Sequence, residues 1–265
     1  MLNEKLLDNT NAWVIFAVAL SLMLLGNYFG NKLGLWHQKK SENIDSSANP
    51  EIMGAIFGVL GFTLAFLFGM SLTRLEHKKE MVLDESSAVL AAYQQAQFLP
   101  EPHKAKASSM LKEYAQLRYD LASGARKNRD IKKLQLGIIK SEKIQDALLH
   151  EGLTANKLSD ASGFIDSVSN IVDLNMRRIQ NSTGDRIPKA LKILMYAMAL
   201  LGLTAMGYGS GIKGGKSMIP NIILVIIFAT IIGIILDMDH PANALFKVNQ
   251  QPMLDVLRRM NSMNF

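Results

Sequence analysis

No cysteine occurs among the 265 residues of this chain. That excludes disulfides, thiolate catalysis and cysteine-ligated zinc or iron–sulfur centres. The five histidines, His37, His77, His103, His150 and His240, are scattered without ligand spacing, so no zinc site is indicated. Enzyme motifs are missing too: there is no Gly-x-Ser-x-Gly, His-Glu-x-x-His or GxGxxG. Ser210 to Ser217 (SGIKGGKS) comes near a phosphate-binding loop, but Ser210 stands where G-x-x-x-x-G-K-[ST] needs glycine. No strand precedes that segment, which reads as a flexible hairpin between two apolar stretches. No cofactor is implied.

Asp, Glu, Lys, Arg and His are absent from four long apolar stretches: Ala12 to Phe29, Ile52 to Leu72, Leu194 to Tyr208 and Met218 to Leu236. Each is long enough to cross a hydrocarbon core of about 30 Å as a helix, the third if Lys192 snorkels. Spans without charge have no built-in proton relay, which argues against an ion-coupled transporter or a membrane-embedded enzyme. The first stretch has Lys5 ahead of it, beside Glu4 and Asp8, and no clean small-x-small cleavage site after it. It reads as a retained anchor rather than a signal peptide.

The expected fold is therefore an all-α membrane protein. Four transmembrane helices flank a cytoplasmic helical-bundle domain placed between the second and third. The boundaries are 1–72 for the first two spans and their loop, 73–189 for the bundle, 190–240 for spans three and four, and 241–265 for a cytoplasmic C-terminal segment. Lys5, Arg74, Lys78, Lys79, Arg177, Arg178, Arg186, Lys189, Lys192 and Lys247 fall on one side; Lys32, Lys39, Lys40, Lys213 and Lys216 fall on the other. The basic excess puts both termini and the bundle in the cytoplasm, consistent with a bacterial inner membrane. The formal net charge of +6 fits contact with the anionic headgroups of a lipid bilayer. No basic stripe is interleaved with aromatics, so no nucleic-acid partner is implied.

Span one is expected to end near Gly30, followed by an exposed connection from Asn31 to Glu51. No proline or glycine interrupts Thr73 to Leu99, so span two should continue as one helix from about Ile52 to Phe98, about 70 Å long. Pro100 and Pro102 end it. Further helices are expected at His103–Ala122, with Met110, Leu111, Tyr114, Leu117 and Leu121 apolar; at Ile131–Leu149, stopped by Gly152; and at Leu158–Ile179, with Phe164, Val168 and Ile171 apolar.

Span two carries the clearest pattern. Gly54, Gly58, Gly61, Ala65 and Gly69 form one small-residue stripe, the kind that lets another helix approach closely. Plain packing against the other spans explains it. A second reading has span two lining a hydrophobic pore in an oligomer, with Phe57, Phe62, Thr63 and Phe66 on the pathway. Arg74, Lys78, Lys79 and Glu85 would then be charges at the pore mouth, the basic ones concentrating anions. Asp237-Met238-Asp239-His240-Pro241 closes span four. Asp237 and Asp239 could bind a divalent metal with His240, or simply form a turn before Pro241.

The run Gly58 to Val89, GVLGFTLAFLFGMSLTRLEHKKEMVLDESSAV, resembles the second-span region of the bestrophin-like membrane family, described as a domain of unknown function. An apolar span there leads to a basic patch (Arg74, Lys78, Lys79), an acidic residue (Glu85) and a small-residue run (Ser86 to Val89). Leu99-Pro100-Glu101-Pro102, Tyr114, Arg118 and the Asp237 to Pro241 segment fit its continuation. The likeness covers roughly Gly54 to Leu257. His240 stands where the family more often has arginine, and Ser86-Ser87 where it often has Ala-Asn. The resemblance implies a homo-oligomeric channel for inorganic anions, a pentamer among the assemblies open. A non-conducting membrane scaffold or sensor, binding a partner through its bundle, is the competing expectation.

Overall fold

The computed structural model describes residues 12–40, 50–124, 131–184, 187–214, 218–239 and 248–263. Among these there are eight α-helices and no strand: α1 (Ala12–Lys40), α2 (Pro50–Ala96), α3 (His103–Gly124), α4 (Ile131–Ala155), α5 (Ser162–Gly184), α6 (Lys189–Ile212), α7 (Met218–Asp239) and α8 (Gln251–Ser262). Three helical segments are long and apolar enough to cross a membrane: Glu51–Ala96, Lys189–Ile212 and Ile219–Asp239. The chain divides into two compact units, 1–73 with 186–246, and 74–185 with 247–265. The second unit includes 247–265 of the C-terminal segment.

The first unit contains α1, α6, α7 and the first half of α2. Its core joins Leu60, Leu64 and Leu67 of α2 to Met195, Ala199 and Leu203 of α6 and Val225, Ile232 and Ile235 of α7. Its outer surface is also apolar: Val18, Leu22, Val59, Leu201, Ile219 and Ile223 are all exposed. Water does not tolerate so continuous an apolar surface, whereas lipid tails do.

Backbones approach most closely between α1 and α6. A Cβ at Gly30 would lie 2.0 Å from the Thr204 carbonyl oxygen, and one at Gly211 would lie 2.3 Å from that of Asn31. This packing explains why α1 does not stop at Gly30. Its glycine is a contact residue rather than a terminator, and the helix runs on to Lys40. Of the connection expected from Asn31 to Glu51, the first ten residues are therefore helical, and residues 41–49 lie outside the described residues.

The second unit is a helical bundle built from α3, α4, α5, α8 and the second half of α2. Tyr114, Leu111, Leu148, Phe164, Val168 and Ile171 are buried together with Val89, Ala92 and Tyr93. Helix α4 continues past Gly152 to Ala155 because that glycine again serves close approach: a Cβ there would lie 3.0 Å from the Phe164 ring. A short turn then leads to α5 at Ser162. Helix α8 buries Met253, Val256, Leu257 and Met260, and Tyr93 Oη donates to the Met260 carbonyl at 3.1 Å.

Candidate functional site

In the first unit, one face of α2 has no partner among the described residues. A Cβ at Gly54, Gly58, Gly61 or Gly69 would meet no atom within 4 Å, and Ala65 is exposed beside them. The small-residue stripe therefore does not pack against the chain's other spans; that role falls to Gly26, Gly30 and Gly34 of α1 with Gly207 and Gly211 of α6. Phe62 (76% exposed) and Phe66 (56% exposed) stand on the open side. At about 100° per residue, they flank the stripe, whereas Leu60, Leu64 and Leu67 point into the core.

The four residues expected along a pore are divided by the structure. Phe57 stacks on Phe228 of α7, with ring centroids 5.9 Å apart and an interplanar angle of 8°. Thr63 Oγ1 donates to the Val59 carbonyl at 2.9 Å and contacts Met198 Sδ at 3.8 Å. Both side chains are thus used within the chain, leaving Phe62 and Phe66 on the open face.

At the other end of that unit, Asp239 is fully engaged. Lys192 Nζ lies 2.5 Å from Oδ2, and Oδ1 accepts the Ile187 backbone N–H at 2.8 Å. The carboxylate thus ties the end of α7 to the start of α6, a long-range link instead of a local turn. Asp237 is buried nearby in sequence; His240 and Pro241 lie outside the described residues. Among the described residues, no group of three His, Asp or Glu side chains could hold a metal ion.

In the second unit, Glu85 corrects its assignment as a mouth charge. Its side chain is 0% exposed and turned into the bundle. Oε1 accepts from Arg118 Nε at 2.6 Å and from Tyr114 Oη at 2.9 Å, while Oε2 accepts from Arg118 Nη2 at 3.2 Å and from Arg178 Nη1. Gln145 Nε2 donates to Tyr114 Oη at 3.1 Å, and Asn175 Nδ2 to Gln145 Oε1 at 3.3 Å. The network ties α2, α3, α4 and α5 together. An isolated carboxylate would not survive this burial, so two guanidiniums accompany it. Burial alone pushes the Glu85 carboxyl up, but the charges of Arg118 and Arg178 more than offset this and hold it below the ordinary range. Burial and the Glu85 charge push the Tyr114 phenol well up, so it stays a donor. Of the basic group, Lys79 is exposed and Arg74 and Lys78 are half-buried.

Gln145 and Asn175 were not singled out by the sequence, and Arg178 entered only as one of the basic residues that set the orientation. One signal existed: Arg118 follows Tyr114 by four residues, which places it on the same inward face of α3. A charge there requires a buried partner.

No family model matches the sequence, and no curated protein matches it. Solved structures do. A bacterial bestrophin homologue from Klebsiella pneumoniae, carrying a single substitution, aligns with a TM-score of 0.69 at 12% identity, over 93% of this chain and 97% of that one. Another variant of it gives a TM-score of 0.69 at 15% identity, over 96% and 98%. A third structure of the same protein gives 0.68 at 14% identity, over 93% and 97%. The chain has the bestrophin-like fold, with helices fit to span a bilayer.

Proposed function

We propose that this protein is a homo-oligomeric, bestrophin-like ion channel of a bacterial inner membrane. The unpartnered face of α2 lines its pore and its substrates are inorganic anions. The observation that carries this reading is the open face itself: a stripe of small residues beside two exposed phenylalanines, on the long helix of a fold shared with bestrophin homologues. Small residues allow neighbouring copies, or a central axis, to come close. Rings at Phe62 and Phe66 would narrow that path to a constriction that gates by dewetting.

In this reading α1, the first half of α2, α6 and α7 are the four spans. The bundle and both termini lie in the cytoplasm, the subunits assemble around α2, and a pentamer is one arrangement this permits. Basic residues Arg74, Lys78 and Lys79 raise the local anion concentration where α2 leaves the bilayer. Glu85 takes no part in that field, because Arg118 and Arg178 neutralise it inside the bundle. No catalytic role is assigned.

The test is single-channel recording of the purified full-length protein in planar bilayers under a chloride gradient, comparing wild type with Phe66→Ala. Discrete currents reversing near the chloride potential, with altered conductance or open probability in the variant, support the reading. Silence from folded, oligomeric protein across pH, calcium and voltage would favour the scaffold alternative.

A further inference from the structure

Helix α1 carries a second pattern that the channel reading does not use. Tyr28, Lys32, Trp36 and Lys40 follow one another at four-residue intervals, and all four are exposed. Tyr28 is 50% and Trp36 60% exposed. They form two stacked pairs: Lys32 Nζ lies 5.2 Å from the Tyr28 ring centroid, and Lys40 Nζ lies 5.0 Å from that of Trp36. Gly30, Asn31 and Gly34, on the other side of the helix, are buried against α6, so packing fixes which way the column faces.

Within helix α1 itself the charge is of one sign; Glu42 and Asp45 follow in sequence, outside the described residues. Helix α1 contains no aspartate or glutamate, while Lys39 and, in the turn after α6, Lys213 add exposed positive charge. His37 Nδ1 lies 2.5 Å from Tyr208 Oη, tying the same end of α1 to α6. The acidic residue described near this end of the unit is Glu51, in the first turn of α2. The depth is also set. From Ala12 to Asn31 the helix has no Asp, Glu, Lys, Arg or His, about 20 residues or about 30 Å, the thickness of a hydrocarbon core. Lys32 is the first charge beyond it. The Tyr28–Lys32 pair then sits at the boundary between tails and headgroups, where amphipathic rings collect. The Trp36–Lys40 pair lies about 12 Å farther out along the helix.

We propose that this face of α1 is a binding site for anionic phospholipid headgroups in the leaflet opposite the bundle. Lys32, Lys39 and Lys40 would contact lipid phosphates, and Tyr28 and Trp36 would hold the lysine stems at the correct depth. Stacking on a ring orders an otherwise mobile lysine, and an ammonium resting on a π face keeps hydrogens free for an anion. Zwitterionic lipid offers no net charge to this cluster, so selectivity follows from charge complementarity. The site rests on the membrane placement of α1 given above.

The test uses full-length protein with Trp13→Phe, which leaves Trp36 as the sole tryptophan. It is reconstituted in nanodiscs of phosphatidylcholine containing phosphatidylglycerol, with bromine near the headgroup end of the acyl chains of one lipid or the other. Brominated phosphatidylglycerol should quench Trp36 at least about two-fold more than brominated phosphatidylcholine at equal mole fraction, since each basic residue can enrich anionic lipid by up to about five-fold. Lys32→Gln with Lys40→Gln should abolish the preference, as should about 0.5 M salt. Equal quenching by both lipids in the wild type overturns the proposal while leaving α1 in the membrane. A preference that survives both the double variant and high salt overturns it as well. No quenching by either lipid, from protein of native helicity, overturns the site, because Trp36 is then remote from lipid or covered by a second copy.

Discussion

Arg118 Nε lies 2.6 Å from Glu85 Oε1, with the carboxylate fully buried and the guanidinium almost so. Breaking this pair from the arginine side leaves the buried carboxylate with Arg178 as its one remaining guanidinium partner. Arg118→Met is expected to destabilise the bundle by about 3–5 kcal/mol. Arg118→Met combined with Glu85→Leu should recover part of that loss, because the buried carboxylate is removed and the Arg178 left without it is partly exposed. Thermal unfolding monitored by helicity, for both variants, checks this.

The same pair sets a pH dependence. The folded-state pKa of Glu85 is lowered from an ordinary value of 4.5. Its pairing therefore contributes stability that is fully present above about pH 4.5 and is lost as the pH falls through the lower, folded-state value. Stability should hold level above about pH 5 as far as this group is concerned, and decline below it. Glu85→Gln should flatten the acid limb of a stability-against-pH curve while lowering the neutral plateau.

Tyr114 joins Glu85 to Gln145 through one hydroxyl. Tyr114→Phe keeps the ring in the core and removes only that oxygen. The expected cost is about 1–3 kcal/mol, smaller than for Arg118→Met, because no charge is stranded. Chemical denaturation of the two variants side by side should rank them in that order.

The glycines of α1 and α2 should respond oppositely to alanine. At Gly30 a new Cβ would lie 2.0 Å from a backbone oxygen, so Gly30→Ala must force α1 from α6 and cost about 1–3 kcal/mol or more. At Gly58 nothing among the described residues lies within 4 Å. Gly58→Ala should leave the subunit fold intact or stabilise it by up to about 1 kcal/mol. Gly58→Leu should instead disturb assembly if copies meet along this face. Thermal shift in detergent reports the first effect, and size-exclusion chromatography with light scattering reports the second.

Asp239 and Lys192 are 2.5 Å apart with the carboxylate almost wholly buried. Asp239→Ala should be severely destabilising, by about 3–5 kcal/mol, since Lys192 and the Ile187 N–H both lose their acceptor. Because the carboxylate already has these partners, calcium at millimolar concentration should not raise the melting temperature of the wild type. Differential scanning fluorimetry with calcium and with chelator decides it.

Several elements are legible in the order of residues. Four charge-free stretches and an uninterrupted run to Leu99 point to the long α2, found at Pro50–Ala96, because helix formers without proline or glycine have few alternatives. The spacing of Met253, Val256, Leu257 and Met260 is equally that of an amphipathic helix, a signal easily passed over in so short a segment. Glycines mislead in two directions. Gly30 and Gly152 look like helix ends, and become contact points only once a neighbour presses against them. The stripe on α2 looks like an internal packing face, and stays open because α1 and α6 pack through glycines of their own.

What the sequence alone determined is the helical character of the chain, its apolar stretches and the small-residue stripe on α2, since these depend on local propensity and on where charge is missing. Only the tertiary structure decided which glycines are packed and which face outward. It also turned Glu85 from a surface charge into the centre of a buried network, and gave Asp239 to Lys192. Those outcomes depend on arginines 33 and 93 residues away for Glu85, and on a backbone N–H 52 residues away for Asp239. No periodicity within one helix encodes a distant charge; only packing brings it within reach.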